Sequence, residues 1–308
     1  MISRREFLDY SARLALMLGL GTSAVPRISE ALELLSSEAP PVLWLQGQSC
    51  SGCSVSFMNT DAPGPAAMLL RYLSLKFHST LSTATGDVGM DIVHSTIERG
   101  GFYLVVEGAM PVGMPEACKM GHEPMTDLVA RAAARAKAVV SVGTCAAYGG
   151  IPSAQNNPTG AMGVPEHLKR LNISTTMVRI PGCPAHPDWT VGTLVHIIKF
   201  GMPELDNELR PKLFYSKLIH ERCHRFADYE RENFAKQFSD DGCLFKLGCV
   251  GTNTYADCTL RFWNSRTNSC IPSGGPCIGC ASEQFASKAS FPFYRKTESA
   301  NKKEDNRS

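Results

Sequence analysis

Val42-Leu43-Trp44-Leu45, followed a few residues later by Cys50-Ser51-Gly52-Cys53, is the stretch from which the fold can be read. A short continuous apolar run is what a parallel strand buried on both faces requires. The pairing of apolar run and small-residue loop then recurs. Phe102-Tyr103-Leu104-Val105-Val106 leads into Glu107-Gly108, and Ala138-Val139-Val140-Ser141-Val142 into Gly143-Thr144-Cys145. Thr176-Met177-Val178-Arg179-Ile180 leads into Pro181-Gly182-Cys183-Pro184. Helix-like segments between the runs include residues 66–75, 125–137 and 188–200. Strands alternating with helices predict an α/β protein with a doubly wound parallel sheet. Ligands of such sheets sit outside the carboxyl ends of the strands. Cys50, Cys53, Cys145 and Cys183 are therefore expected at one edge. Gly or Pro beside each allows tight turns and close backbone approach to a bulky group.

Four thiolates suit Zn²⁺ or an iron–sulfur cluster. Spacing alone does not separate the two. Disulfides are the competing use, since an exported protein can be oxidised; the Gly- and Pro-flanked strand-end loops favour ligation.

From about residue 201 the periodicity fades, and seven cysteines fall between 223 and 280. A region so poor in strands and helices needs a staple, and a metal site is one. His220-Glu221-Arg222-Cys223, with Cys243 and Cys249, offers one imidazole and three thiols. Taken alone, His220 reads as a surface histidine beside a buried cysteine. Cys258, Cys270 and Cys277-Ile278-Gly279-Cys280 form a stronger four-thiolate set. Eleven cysteines and His220 thus make three sites of four, leaving Cys118 as a structural or incidental free thiol. Three such sites make sense as a row of one-electron carriers.

Length and composition agree. The 308 residues correspond to about two domains, and 44% hydrophobic residues support a real core. Lys plus Arg number 31 and Asp plus Glu 29, formally +2. That balance lacks the electrostatic footprint of a nucleic-acid binder, and 8% aromatics leave no stacking platform for single strands. Twelve cysteines exceed what packing needs yet fall short of a disulfide scaffold.

At the N-terminus, Ser3-Arg4-Arg5-Glu6-Phe7-Leu8 precedes an apolar, small-residue stretch, residues 12–25. Paired arginines before a short apolar segment are a twin-arginine export signal; the competing reading is an amphipathic helix with both arginines in solvent. The stretch is too short to span a bilayer, which needs roughly 20 apolar residues. Residues 297–308 carry no apolar side chain beyond Ala300 and read as a disordered polar tail. The expected organisation is a signal segment over 1–38, an α/β domain over 40–200, a cluster-binding domain over 201–295 and a tail over 296–308.

Together these motifs resemble the small subunit of nickel–iron hydrogenases, from the leader to about Arg295. To those quoted are added Gly242-Cys243-Leu244, Leu247-Gly248-Cys249, Tyr255-Ala256-Asp257-Cys258 and Pro276-Cys277-Ile278-Gly279-Cys280. The resemblance implies a flavodoxin-like first domain with a proximal [4Fe–4S] cluster on Cys50, Cys53, Cys145 and Cys183. It implies a smaller, mostly irregular second domain with a distal [4Fe–4S] cluster on His220, Cys223, Cys243 and Cys249. Between them a medial cluster falls on Cys258, Cys270, Cys277 and Cys280. The H2-splitting metal site belongs to a separate large subunit, of the nickel–iron or nickel–iron–selenium type.

Two departures carry expectations. Many relatives have Pro where this chain has Cys270, with a medial [3Fe–4S] cluster; the extra thiolate predicts a medial [4Fe–4S] cluster at lower potential. Oxygen-tolerant relatives carry two additional cysteines at positions matched here by Gly52 and Gly150, so an ordinary proximal cluster is expected. Val55 replaces a Glu common in the family, as in the selenium-containing members. Glu107 either lies beside the proximal site or faces solvent from a strand end. Histidines 78, 94, 122, 186 and 196 receive no role. Membrane-bound relatives often end in a hydrophobic helix, whereas this chain ends in charges. A periplasmic complex, soluble or peripherally held without a C-terminal anchor, is therefore expected. Its electron partner would be a c-type cytochrome or a membrane cytochrome, reached through the face carrying His220. The rival classes are a stand-alone electron carrier and an exported disulfide-bonded binding protein.

Overall fold

The structure is a computed structural model and describes residues 4–30, 40–61, 64–68, 72–154 and 156–286. The polar tail and the end of the leader, residues 31–38, lie outside the described residues. Two compact units emerge, residues 1–216 and 217–308.

The first unit is built on a five-stranded sheet of β1 (Pro41–Gln46), β2 (Ser74–His78), β3 (Tyr103–Glu107), β4 (Ala138–Val142) and β5 (Met177–Ile180). Their order is β2-β1-β3-β4-β5, with every neighbouring pair parallel. This is the flavodoxin-like order of a doubly wound sheet, in agreement with the sequence. β4 is buried at all five positions, which is why it reads as an unbroken apolar run.

β2 is a correction. Residues 66–75 read as helical; a helical turn is described at Pro65–Ala67, but Ser74 and Leu75 belong to a strand and pair with Pro41 and Val42. β2 is an edge strand with Lys76 exposed and only Phe77 and His78 buried. One open face removed the apolar run, and pairing with a distant strand overrode local preference.

The described helices of this unit include α1 (Arg4–Met17), α2 (Gly52–Phe57), α3 (Gly86–Arg99), α4 (Met125–Ala133), α5 (Gly143–Tyr148), α6 (Val164–Arg170) and α7 (Pro187–Phe200). In α4, Met125, Leu128, Val129, Ala132 and Ala133 recur at helical spacing and are buried. They join Leu104, Val106, Val139, Ile97 and Leu168 in one core. The helix stops before 137 because Lys137 N–H donates to Phe102 O at 2.8 Å, at the entry to β4. α7 starts at Pro187, where His186 Nδ1 accepts the Asp188 N–H at 3.0 Å as an N-cap.

The N-terminal segment is part of this unit. Ser11, Leu14 and Ala15 of α1 are buried, with Leu18 and Ile28 after it. A cavity of about 490 Å³ lies between this segment and the end of α7, lined by Leu18, Ile28, Phe200 and Leu213. The unit also runs beyond residue 200. Arg179 N–H donates to Leu209 O at 2.9 Å, and Tyr215 OH to Pro181 O at 2.8 Å.

The second unit has no named strand among the described residues. It is a succession of short turns: His220–Arg222, Phe226–Glu230, Leu244–Leu247, Gly251–Asn253 and Cys258–Arg261. Single bridges, Leu218 with Tyr255 and Phe234 with Cys243, join its loops.

Candidate functional site

Strand register creates the first site. Gln46 pairs with Glu107, Glu107 with Val142 and Val142 with Ile180. These four residues form one row at the carboxyl edge of the sheet. The loops carrying Cys50 and Cys53, Cys145, and Cys183 all leave from that row. They are also tied to one another. Thr144 N–H donates to Gly182 O at 2.9 Å, and Gly182 N–H to Thr144 Oγ1 at 2.8 Å. Ser56 Oγ donates to Ala185 O at 2.6 Å. Ala185 N–H reaches Cys53 Sγ at 3.5 Å.

The four thiols share one electrostatic environment. Burial pushes the Cys53 thiol well up, followed by the charge of Glu107, with Cys145 and Cys183 adding to it. Cys145 is pushed up to about 11 by burial and then by Cys183. Cys183 is raised by burial and by Cys50. Held together without a compensating cation, these groups resist ionisation; a cationic metal core reverses that balance.

The pocket leaves room beside the sulfurs. A Cβ on Gly143, whose φ is +84°, would collide with Cys53 Sγ. A Cβ on Gly150 would sit 2.9 Å from Cys145 Sγ. Glycine at both positions keeps backbone, but no side chain, against the donors. Among the described residues no three His, Cys, Asp or Glu side chains are gathered closely enough to hold a single metal ion. Four sulfurs between glycine walls are a donor set that fits an iron–sulfur cluster. All twelve cysteines are free.

Glu107 is buried, 2% exposed. Of the two orientations open from sequence, the structure has the carboxyl turned inward. Cys53 N–H donates to Oε1 at 3.0 Å and Ser54 N–H to Oε2 at 3.2 Å.

In the second unit the structure groups Cys223 with Cys243 and Cys249, since burial and then the charges of the latter two raise the Cys223 thiol. Arg225 N–H donates to Cys223 Sγ at 3.4 Å. Cys258 is raised by burial first, then by Cys280 and Cys277. Cys277 is raised by burial and by Cys280, Cys249 and Cys270. Cys277 N–H donates to Cys249 Sγ at 3.3 Å, so the two thiol groups adjoin. Cys270 is exposed, and its charge adds to the upward shift of both Cys277 and Cys249.

His220 packs on Tyr229 at 4.5 Å and Phe226 at 5.1 Å between ring centroids. Tyr229 packs in turn on Phe245 at 5.4 Å, in the turn between Cys243 and Cys249. This aromatic frame was not read from the sequence; the spacing of Phe226 and Tyr229 from His220 was its only trace. Cys118 is half-buried against the sheet core.

Comparison with known proteins agrees with this geometry. Residues 50–197 match the family model of the NADH ubiquinone oxidoreductase 20 kDa subunit. Residues 215–294 match that of the C-terminal region of the NiFe/NiFeSe hydrogenase small subunit. The periplasmic [NiFeSe] hydrogenase small subunit of Desulfomicrobium baculatum is 40% identical, over 95% of this chain and 98% of its own. The periplasmic [NiFe] hydrogenase small subunit of Solidesulfovibrio fructosivorans is 37% identical, over 95% of this chain and 93% of its own. The solved recombinant [NiFeSe] hydrogenase of Desulfovibrio vulgaris Hildenborough superposes with a TM-score of 0.80 at 41% identity, covering 85% of this chain and 99% of that one. The chain belongs to the small-subunit family of nickel–iron and nickel–iron–selenium hydrogenases. It is, accordingly, part of a hydrogenase, one subunit of a heterodimer.

Proposed function

We propose that this protein carries electrons between an H2-splitting site in a large subunit and an external redox protein, through three iron–sulfur clusters. The proximal cluster is assigned to Cys50, Cys53, Cys145 and Cys183, and the distal one to His220, Cys223, Cys243 and Cys249. The medial one, of [4Fe–4S] type, is assigned to Cys258, Cys270, Cys277 and Cys280. When bound, the clusters supply one-electron chemistry; the protein positions them, excludes water and tunes each potential. The observation that carries this reading is the convergence of four thiols from three strand-end loops onto a glycine-walled pocket. The thiol groups around Cys277 and Cys249 support the remaining assignments, and Phe226 and Tyr229 hold the His220 ring, with Phe245 packed behind Tyr229.

Exposed Val55, within α2, and Met58, just beyond it, favour a partner over a stand-alone carrier. A contiguous exposed apolar patch marks an interface. We assign that surface to the large subunit, and the face of Phe226 and Phe245 to a cytochrome. Arg4-Arg5 and the periplasmic relatives support export to the periplasm by the twin-arginine route. No helix among the described residues is long and apolar enough to cross a membrane.

Iron and acid-labile sulfide analysis of the purified heterodimer tests the reading. About four irons per site, hence about twelve in the small subunit, are expected. A colourless small subunit with paired thiols would end it.

A further inference from the structure

Beneath the Cys53 loop lies a set of side chains that the proposed relay does not use. Glu107 Oε1 accepts from Ser49 Oγ at 2.9 Å and from Cys53 N–H at 3.0 Å. Its Oε2 accepts from Ser54 N–H at 3.2 Å, from Gln46 Nε2 at 3.3 Å and from Ser54 Oγ. Every partner donates, so the group acts as an acceptor-only carboxylate. None of the ion pairs among the described residues involves it. A buried carboxylate held by neutral donors alone keeps a weakly screened negative charge.

With its hydrogen committed to Glu107, Ser54 Oγ has two lone pairs to fill. Gln46 Nε2 approaches at 3.0 Å, and so does His78 Nε2. The histidine tautomer is set by its other nitrogen, because Thr80 N–H donates to His78 Nδ1 at 3.0 Å. The hydrogen therefore resides on Nε2 and points at Ser54. The ring is 1% exposed and packs on Trp44 at 5.1 Å. Donors thus run in one direction, from Thr80 through His78 and Ser54 to Glu107, and such chains polarise one another.

We infer that His78 and Ser54 are positioning residues for Glu107, and that this buried carboxylate lowers the reduction potential of the group held by Cys53. The inference rests on the assignment of an iron–sulfur cluster to Cys50, Cys53, Cys145 and Cys183. A fixed negative charge opposes the arrival of an electron, and charge and hydrogen bonding around the sulfurs set cluster potentials. The same charge reaches both Cys53 and Cys145, adding to the larger effect of burial.

The test is an EPR-monitored potentiometric titration of the purified heterodimer carrying Glu107→Gln, Ser54→Ala or His78→Phe, with iron and sulfide counted in each. Glu107→Gln removes the charge at nearly constant shape. One iron–sulfur midpoint is expected to rise, with a change of about tenfold in the equilibrium constant, ~59 mV for one electron. The other midpoints and the iron content stay in place. Ser54→Ala and His78→Phe keep the charge but remove donors that screen it. They lower the same midpoint by less, and the Ser54→Ala shift vanishes in the Glu107→Gln background. Iron-replete Glu107→Gln protein with unchanged midpoints overturns the inference, and a Ser54→Ala shift that persists without Glu107 overturns the positioning role. Should Glu107→Gln protein not accumulate, loaded His78→Phe protein decides, unchanged midpoints refuting the proposal. Failure of the cluster assignment itself is distinguishable, because wild-type protein would then lack iron before any variant is made.

Discussion

The two units satisfy their backbones in different ways. In the first, five strands exchange ladder hydrogen bonds over a core of Leu, Val, Ile, Phe and Ala side chains, and the thiols sit at the sheet's rim. In the second, Val250 N–H donates to Cys277 O at 2.9 Å and Ile219 N–H to Thr254 O at 2.8 Å, while Cys277 N–H turns to a sulfur. Its buried apolar residues are few and scattered, among them Ile219, Leu244, Val250, Ile271 and Phe285. A sheet core is stable without its ligand; loops closed around thiols depend on what the thiols hold. Under the proposed cluster assignment, the first unit positions a cofactor, whereas the second would be organised by one.

The largest expected consequence is an asymmetric response to iron removal. Anaerobic chelation should abolish hydrogen-exchange protection over 217–286, an effect of several kcal/mol by analogy with structural metal sites, while β1, β3 and β4 stay protected. Equal loss in both units would break the comparison. A core substitution should act the other way round. Leu104→Ala, fully buried in β3, is expected to cost about 2–5 kcal/mol. It should lower the unfolding midpoint of the first unit at unchanged iron content.

Gly143→Ala sharpens the contrast at the rim. The new Cβ meets Cys53 Sγ at a φ of +84°, a conformation costing about 1–3 kcal/mol for other residues. About four irons should be lost, with near-native circular dichroism. The smallest effect is expected at Cys270, which is exposed. Cys270→Ala should remove about one iron and produce a [3Fe–4S] EPR signal on oxidation. An unchanged spectrum would take Cys270 out of the medial site.

Legibility followed burial. β1, β3, β4 and β5 were readable because sheet interiors demand apolar side chains on both faces. β2 was not, since Lys76 on its open side breaks the run. The four cysteines of the first site were visible because each follows a strand in a loop that carries Gly or Pro. His220 stood out only by its spacing to Cys223, and the rings of Phe226, Tyr229 and Phe245 that frame it lie apart in sequence. Glu107 was visible as a strand-end carboxylate whose direction stayed open, and His78 carried no signal at all.

The amino-acid sequence by itself determined the cysteines proposed as donors, the glycines near them and the alternation of strands and helices. These depend on residue type and on neighbours within a few positions. Only the tertiary structure decided that the Glu107 carboxyl turns inward, that His78 reaches Ser54, and that Ser74 and Leu75 extend a sheet. Each depends on residues more than twenty positions apart meeting across strands, and such meetings leave no periodic trace along the chain.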